Sequence, residues 1–198
     1  MEFLNIAVIL FLIMDPFGNI PSTLTVTQGI SHTGRRRIII REMLIALTIM
    51  VLFNFIGEFI FDVLKISETT LRLTSGAILF LVAIKTLFPA IDSPRANLPV
   101  GEPFITPIAV PLIASPAILA TIMLFAHLES SQLSMLAAIV AAWTLATGVL
   151  LSSERLQKVL GVNGLLACEK LMGMVLVMLA IQRFLEGVQQ FVKTCHAA

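Results

Sequence analysis

Asp15-Pro16-Phe17-Gly18-Asn19-Ile20-Pro21 interrupts an apolar run that is otherwise long enough to cross a membrane. This heptapeptide constrains the fold more than any other part of the chain. Two prolines and a glycine break a helix, and in hydrocarbon the backbone groups freed by a break must face protein, water or a bound solute. A carboxylate at such depth marks a functional site by default. Asp15 before Pro16 is the pattern of an N-cap followed by proline at the first helical position. Asn19 and Pro21 repeat that signal one turn later.

A break of this kind matters only if the chain is embedded in a membrane, and composition decides that. The 198 residues are 58% hydrophobic and 13% charged, with a mean hydropathy of +0.98. Soluble domains carry about twice that share of charge. Pro103 to Leu128 and Ser130 to Ser153 contain no Asp, Glu, Lys or Arg, and each exceeds the roughly 20 residues of a spanning helix. Further spans are expected over Phe3 to Gly29, Ile38 to Ile60, Thr69 to Phe88 and Ala167 to Phe191. The expected fold is an all-α membrane protein of six transmembrane helices. The N-terminus lacks the basic region of a secretory signal, so the first helix is expected to remain in the mature protein.

The two halves of the chain match each other in nearly constant register. Asp15-Pro16 aligns with Ser115-Pro116, Val63-Leu64-Lys65-Ile66-Ser67 with Val159-Leu160-Gly161-Val162-Asn163, and Gly76 through Ile84 with Gly173 through Ile181. With three spans per half, the second half enters from the opposite side, so the repeats are expected to be inverted in topology. Repeat one covers residues 1–88, a proline-rich linker 89–103, repeat two 104–191 and a short tail 192–198, all in a single membrane domain. Helices 1 and 4 are expected to break near mid-membrane, the fourth at Pro111 and again at Ser115-Pro116. Ser67 and Asn163 suit N-caps of the third and sixth helices. Gly76 and Gly173 suit close helix packing.

Charge orients the chain. With the N-terminus outside, the inside loops collect Arg35, Arg36, Arg37, Arg41, Lys85, Arg95, Arg155, Lys158 and Lys170. Only Lys65, Arg72, Arg183 and Lys193 remain outside. The excess of basic residues on one side favours both termini outside, which in a bacterial inner membrane is the periplasm, as an expectation. The Arg35-Arg36-Arg37 run is therefore a topological signal rather than a nucleic-acid patch. Glu42, next to Arg41, is expected at the interface in an ion pair; Asn54 and Glu58, one turn apart, are expected where their helix nears water, the alternative being that they line a pathway.

Two half-helices beginning at the breaks would each present N-H groups with partial positive charge, suited to a carboxylate or phosphate. The free carbonyls of the first half-helix, with Asp15 and Asn19, suit an ammonium group or a cation. A site with both poles fits a zwitterion, although sodium or protons would equally fill the second pole. Asp15 also has a plainer role, capping the half-helix without meeting solute. The candidate substrate-binding residues are Asp15, Gly18, Asn19, Pro21, Ser115 and Pro116, with Pro16 and Pro111 as helix breakers. His32, His127 and His196 form no metal-binding pattern and no nucleophile stands beside a base, so neither a metal site nor an enzyme is expected. Cys168 and Cys195 read as unpaired thiols.

The heptapeptide, Gly101-Glu102-Pro103-Phe104 with Pro107 through Pro111-Leu112, and Glu169-Lys170-Leu171-Met172-Gly173 together resemble the MarC family of bacterial and archaeal inner-membrane proteins, over nearly the whole chain. The resemblance implies a six-helix protein of the inner membrane, distantly similar to the LysE exporter superfamily, with members that transport small neutral amino acids such as glycine and alanine. The family's DPxGxxP motif falls on Asp15, Pro16, Gly18 and Pro21. Where the family more often has glycine before the second proline, this chain has Ser115. The expected function is a secondary transporter of small neutral amino acids that uses alternating access and proton or sodium coupling. The alternatives are an exporter of another solute or drug, or a structural or regulatory membrane subunit. Expected partners are a small zwitterionic solute and the lipid bilayer, with no nucleic acid, no cofactor and a homo-oligomer left open.

Overall fold

The computed structural model describes residues 3–65, 67–88, 113–128 and 131–197. Among these residues the regular structure is entirely helical: α1 (Phe3–Met14), α2 (Ile20–Val26), α3 (His32–Leu64), α4 (Glu68–Leu87), α5 (Pro116–Leu128), α6 (Gln132–Leu151) and α7 (Ser153–Ala197). Four of them, α3, α4, α6 and α7, are long and apolar enough to cross a membrane. The helices α1 and α5 are apolar but shorter. At a rise of about 1.5 Å per residue neither reaches the roughly 30 Å of a hydrocarbon core. The linker, Pro111 and the first part of the expected fourth span lie outside the described residues.

The first expected span is divided. α1 ends at Met14, residues 16–19 form a turn, and α2 resumes at Ile20 with Pro21 in its first turn. The helix therefore restarts one turn later than Asp15-Pro16 alone suggests. Further along, Ser67 caps α4 by accepting the Thr70 N-H at 3.2 Å, as its sequence position implied. At the corresponding place in the second half the helix runs on through Asn163, and the break is confined to Gly161, at φ 68. Glycine adopts this left-handed conformation without a Cβ clash, so one residue suffices where a loop was expected. In the first half Lys65 holds φ 50 at the position aligned with Gly161.

One apolar core runs through the bundle, with Ile6, Leu10 and Met14 of α1, Met43, Ala46 and Met50 of α3, and Ala138, Ala142 and Ala146 of α6. Alanines at i, i+4 and i+8 on α6 let α1 and α3 approach closely, which suits a bilayer, where association relies on packing rather than on apolar surface leaving water. Trp143 reinforces the α3–α6 contact by donating from Nε1 to the Met43 carbonyl at 2.6 Å. The helices α4 and α7 meet through glycines. A Cβ on Gly76 would lie 2.7 Å from the Phe184 nitrogen, and one on Gly173 would lie 3.0 Å from Leu87 Cδ2. Neither contact leaves room for a side chain without movement.

Candidate functional site around the broken helix

Asp15 departs from helical geometry at the C-terminus of α1, with φ 44. Left-handed backbone costs a non-glycine residue about 1 kcal/mol, and Asp and Asn tolerate it best because their short side chains can bond locally. Asp15 does so: its Oδ1 accepts the Gly18 N-H at 3.1 Å. Gly18 is required for this fold-back, since a Cβ there would lie 2.2 Å from Asp15 Oδ2. The backbone closes the same turn, with Asn19 N-H donating to the Asp15 carbonyl and Ile20 N-H to the Phe17 carbonyl. Phe17 packs edge-on against Phe11 of α1, ring centroids 6.4 Å apart.

Asn19 acts differently from expectation. It precedes α2 without a side-chain capping bond. Its amide instead reaches back across the break and donates from Nδ2 to the Met14 carbonyl at 2.9 Å. One of the carbonyls left orphaned at the end of α1 is thus satisfied by the residue that starts α2. Asp15 and Asn19 are both buried, so these bonds form where an unmade one is expensive.

The second break is simpler. Ser115, also buried, caps α5 with Oγ accepting the Ile118 N-H at 3.4 Å, and Pro116 takes the first helical position. The two breaks border the same core: Met14 and Ile20 flank the first, Ile113, Ala114, Ala117 and Ile118 flank the second, and all belong to one apolar cluster. Asp15, Gly18, Asn19 and Pro21 are thus brought together in a single turn, with Ser115 and Pro116 at the head of a separate helix bordering that core. Pro111 lies outside the described residues.

Much of the N-H capacity predicted for an anion is already used internally. Gly18, Asn19, Ile20, Ile118 and Leu119 all donate within their own turns. The helix α2 also spans only seven residues, too short for a large end dipole.

Below the break the sequence carries a feature that motif reading passed over. Asn19, Thr23 and Thr27 recur at four-residue spacing, so they share one face of the segment, and all three are buried. Thr27 donates its hydroxyl to the Thr23 carbonyl at 2.7 Å. The Thr23 hydroxyl oxygen is buried with no hydrogen-bond partner among the described residues. Arg35 meets the end of the stripe, its Nη2 donating to the Thr27 carbonyl at 3.0 Å. Beside it, a cavity of about 390 Å³ reaches the motif at Pro21 and is lined further by Thr25, Gln28, Arg35 and Gln157. The Ser and Thr residues crowded into positions 22–27 were the available signal.

Charged groups close both ends of the bundle. Arg35 pairs with Glu154, which also contacts His32 at 3.2 Å, tying the start of α3 to the start of α7. At the other end Arg72 binds Glu68 at 2.6 Å and Glu186 at 3.1 Å, while Arg183 lies 4.5 Å from the ring centre of Phe125. Lys170 donates to the carbonyls of Thr86 and Leu87 and so caps the C-terminus of α4. Glu42 departs from its expected interfacial position: it is fully buried, with Oε1 on Arg41 at 3.0 Å and Oε2 unpartnered among the described residues. Asn54 is itself buried but donates to Oε1 of the exposed Gln132, the first residue of α6, at 3.1 Å. In both cases a neighbouring helix covers a position that, on a lone helix, would face outward.

Comparison with known proteins fits this architecture. Residues 1–192 match the family described as MarC family integral membrane protein. The chain is 44% identical over 194 residues to the UPF0056 inner membrane protein YhgN of Escherichia coli strain K12, covering 97% of this chain and 98% of that protein. It is 40% identical to a UPF0056 membrane protein of Buchnera aphidicola from Acyrthosiphon pisum, with the same coverage. A Chlamydia pneumoniae relative is 30% identical over 93% of each chain. No solved structure matches.

Proposed function

This chain belongs to the MarC family of integral membrane proteins, and from that premise we propose that it is a secondary transporter of small neutral amino acids in the bacterial inner membrane. The single observation that carries the proposal is the polar stripe Asn19, Thr23 and Thr27, which leads from the broken helix toward Arg35 with the Thr23 hydroxyl unpartnered among the described residues. A buried hydroxyl is costly unless it is hydrogen-bonded, and the Thr23 hydroxyl, without a partner among the described residues, has an acceptor and a donor to offer a solute. A cavity of about 390 Å³ opens on the other face of α2, lined there by Pro21, Leu24 and Thr25 and meeting the stripe at Arg35; it has room for a small amino acid and a few waters. In this reading the break is occluded, and solute reaches Asp15 and Ser115 when the cavity deepens past Pro21.

The capping bonds refine the roles of the site residues. Asp15 and Asn19 hold the turn closed from within, so a solute ammonium would compete with the Gly18 N-H for the Asp15 carboxylate. The solute carboxylate would lie toward Ser115 and the start of α5, a helix of 13 residues. Proton or sodium coupling would drive the cycle.

Alternating access between two inverted repeats belongs to the same proposal. It is supported by left-handed backbone at the aligned positions Lys65 and Gly161. It is supported too by the exchange of contacts between aligned helices: Gly76 meets Phe184, and Gly173 meets Leu87. Under the alignment of the halves these two contacts are each other's counterpart.

A packing subunit is the second reading, favoured by the internally satisfied caps. Counterflow of labelled glycine and alanine in proteoliposomes separates the two, with Asp15→Asn, Thr23→Val and Ser115→Ala alongside. Flux in the wild type that each variant lowers at least tenfold is expected. No flux of any small amino acid under either ion gradient would overturn the transporter proposal.

A further inference from the structure

We infer that the cavity between the starts of α3 and α7 is a binding site for a phosphate group, supplied by the headgroup of an anionic phospholipid. The cavity has a volume of about 210 Å³ and is lined by His32, Arg35, Arg36, Ser153, Glu154 and Arg155, among others. Three guanidinium groups and an imidazole therefore face one carboxylate. That carboxylate is committed, since Glu154 holds Arg35 and contacts His32. Arg36 and Arg155 are exposed and make no ion pair among the described residues. The Arg35 Nε is buried with no hydrogen-bond partner among them. The site thus keeps a net positive charge and an unused donor after its internal pairing is complete.

Size and setting select the ligand. Pockets for drug-sized molecules run from about 300 Å³ upward, so this smaller and strongly basic cavity suits a compact anion. Guanidinium groups match phosphate geometry through paired N-H donors. Two long helices also begin here, adding partial positive charge. Membrane proteins commonly bind acidic headgroups in basic pockets between helices at the cytoplasmic face, and the excess of basic loops assigns this end to the cytoplasm. The lipid would bridge α3 and α7 beside the Arg35–Glu154 pair, next to the cavity proposed for solute, with which it shares Arg35.

The test uses the full-length protein in neutral detergent, stripped of lipid. Phosphatidylglycerol, phosphatidylcholine and inorganic phosphate are titrated separately at constant ionic strength, with thermal melting and native mass spectrometry as readouts. Phosphatidylglycerol is expected to raise the melting temperature and remain bound in the gas phase, and phosphatidylcholine to do neither. Arg36→Gln and Arg155→Gln should each weaken apparent affinity about fivefold and together about thirtyfold, without changing the lipid-free melting temperature. Lys193→Gln, exposed near the far end of α7, should leave affinity unchanged. If inorganic phosphate alone saturates the effect and blocks the lipid, the anion site stands and its assignment to a lipid falls. Equal stabilisation by phosphatidylcholine, or wild-type affinity in the double variant, would overturn the proposal.

Discussion

Gly18→Ala tests whether the Asp15 carboxylate holds the helix break closed. The new Cβ would lie 2.2 Å from Oδ2, 2.7 Å from Cγ and 2.8 Å from Oδ1 of Asp15. Each is well inside an ordinary van der Waals contact, so the carboxylate must swing away by about an ångström. That movement breaks its bond to the Gly18 N-H. A buried hydrogen bond to a charged group contributes about 1.5–3 kcal/mol, so Gly18→Ala should cost about 2–3 kcal/mol. Asp15→Ala loses the same bond and leaves alanine at a left-handed position, costing about 1 kcal/mol more. In the double variant the clash has no partner and the bond is already gone. Its cost should therefore be close to that of Asp15→Ala alone, giving a coupling energy of about 2 kcal/mol. The assay is reversible unfolding of the purified protein in mixed micelles of rising denaturing detergent, read by the fluorescence of its one tryptophan, Trp143. Additive costs, within about 0.5 kcal/mol, would refute the proposed link between Asp15 and Gly18.

Gly76→Ala should destabilise by about 1–3 kcal/mol through overpacking against the α7 backbone, whereas Gly148→Ala, with nothing within 4 Å, should be neutral or stabilise by up to about 1 kcal/mol; equal melting temperatures would contradict the α4–α7 contact. Glu42→Gln keeps an acceptor for Arg41 while removing a buried charge, and is expected to be neutral or stabilising. Arg41→Ala strands that charge and should cost about 2 kcal/mol, discounted because Arg41 is 36% exposed. The reverse order in unfolding experiments would show that the pair is not what holds Glu42. A phosphatase fused after Ala198 should be active, because the C-terminus is expected in the periplasm; activity only from a cytoplasmic reporter would reverse the topology and move the basic cavity to the outer face.

What the chain is made of settles its class, because solvent chooses structure. Long stretches without charge have one stable fate, as helices within a bilayer. Proline, glycine and aspartate in such a stretch fix where a helix must stop, since their effects act on neighbouring backbone and need no distant partner. The break at Asp15–Asn19 and the cap at Ser115 were legible for that reason, as was Ser67 at the start of α4. The destinations of long side chains were not legible. Asn19 could cap forward or bond backward, and only the placement of the Met14 carbonyl decides in favour of the latter. Glu42 and Asn54 would face lipid or water on an isolated helix, and their burial follows from the helices packed over them. The pairing of Arg35 with Glu154, and the polar stripe that ends at Arg35, depend on groups remote in sequence meeting in space. Local backbone chemistry is written residue by residue in the sequence, whereas electrostatic partnership and burial belong to the packed bundle.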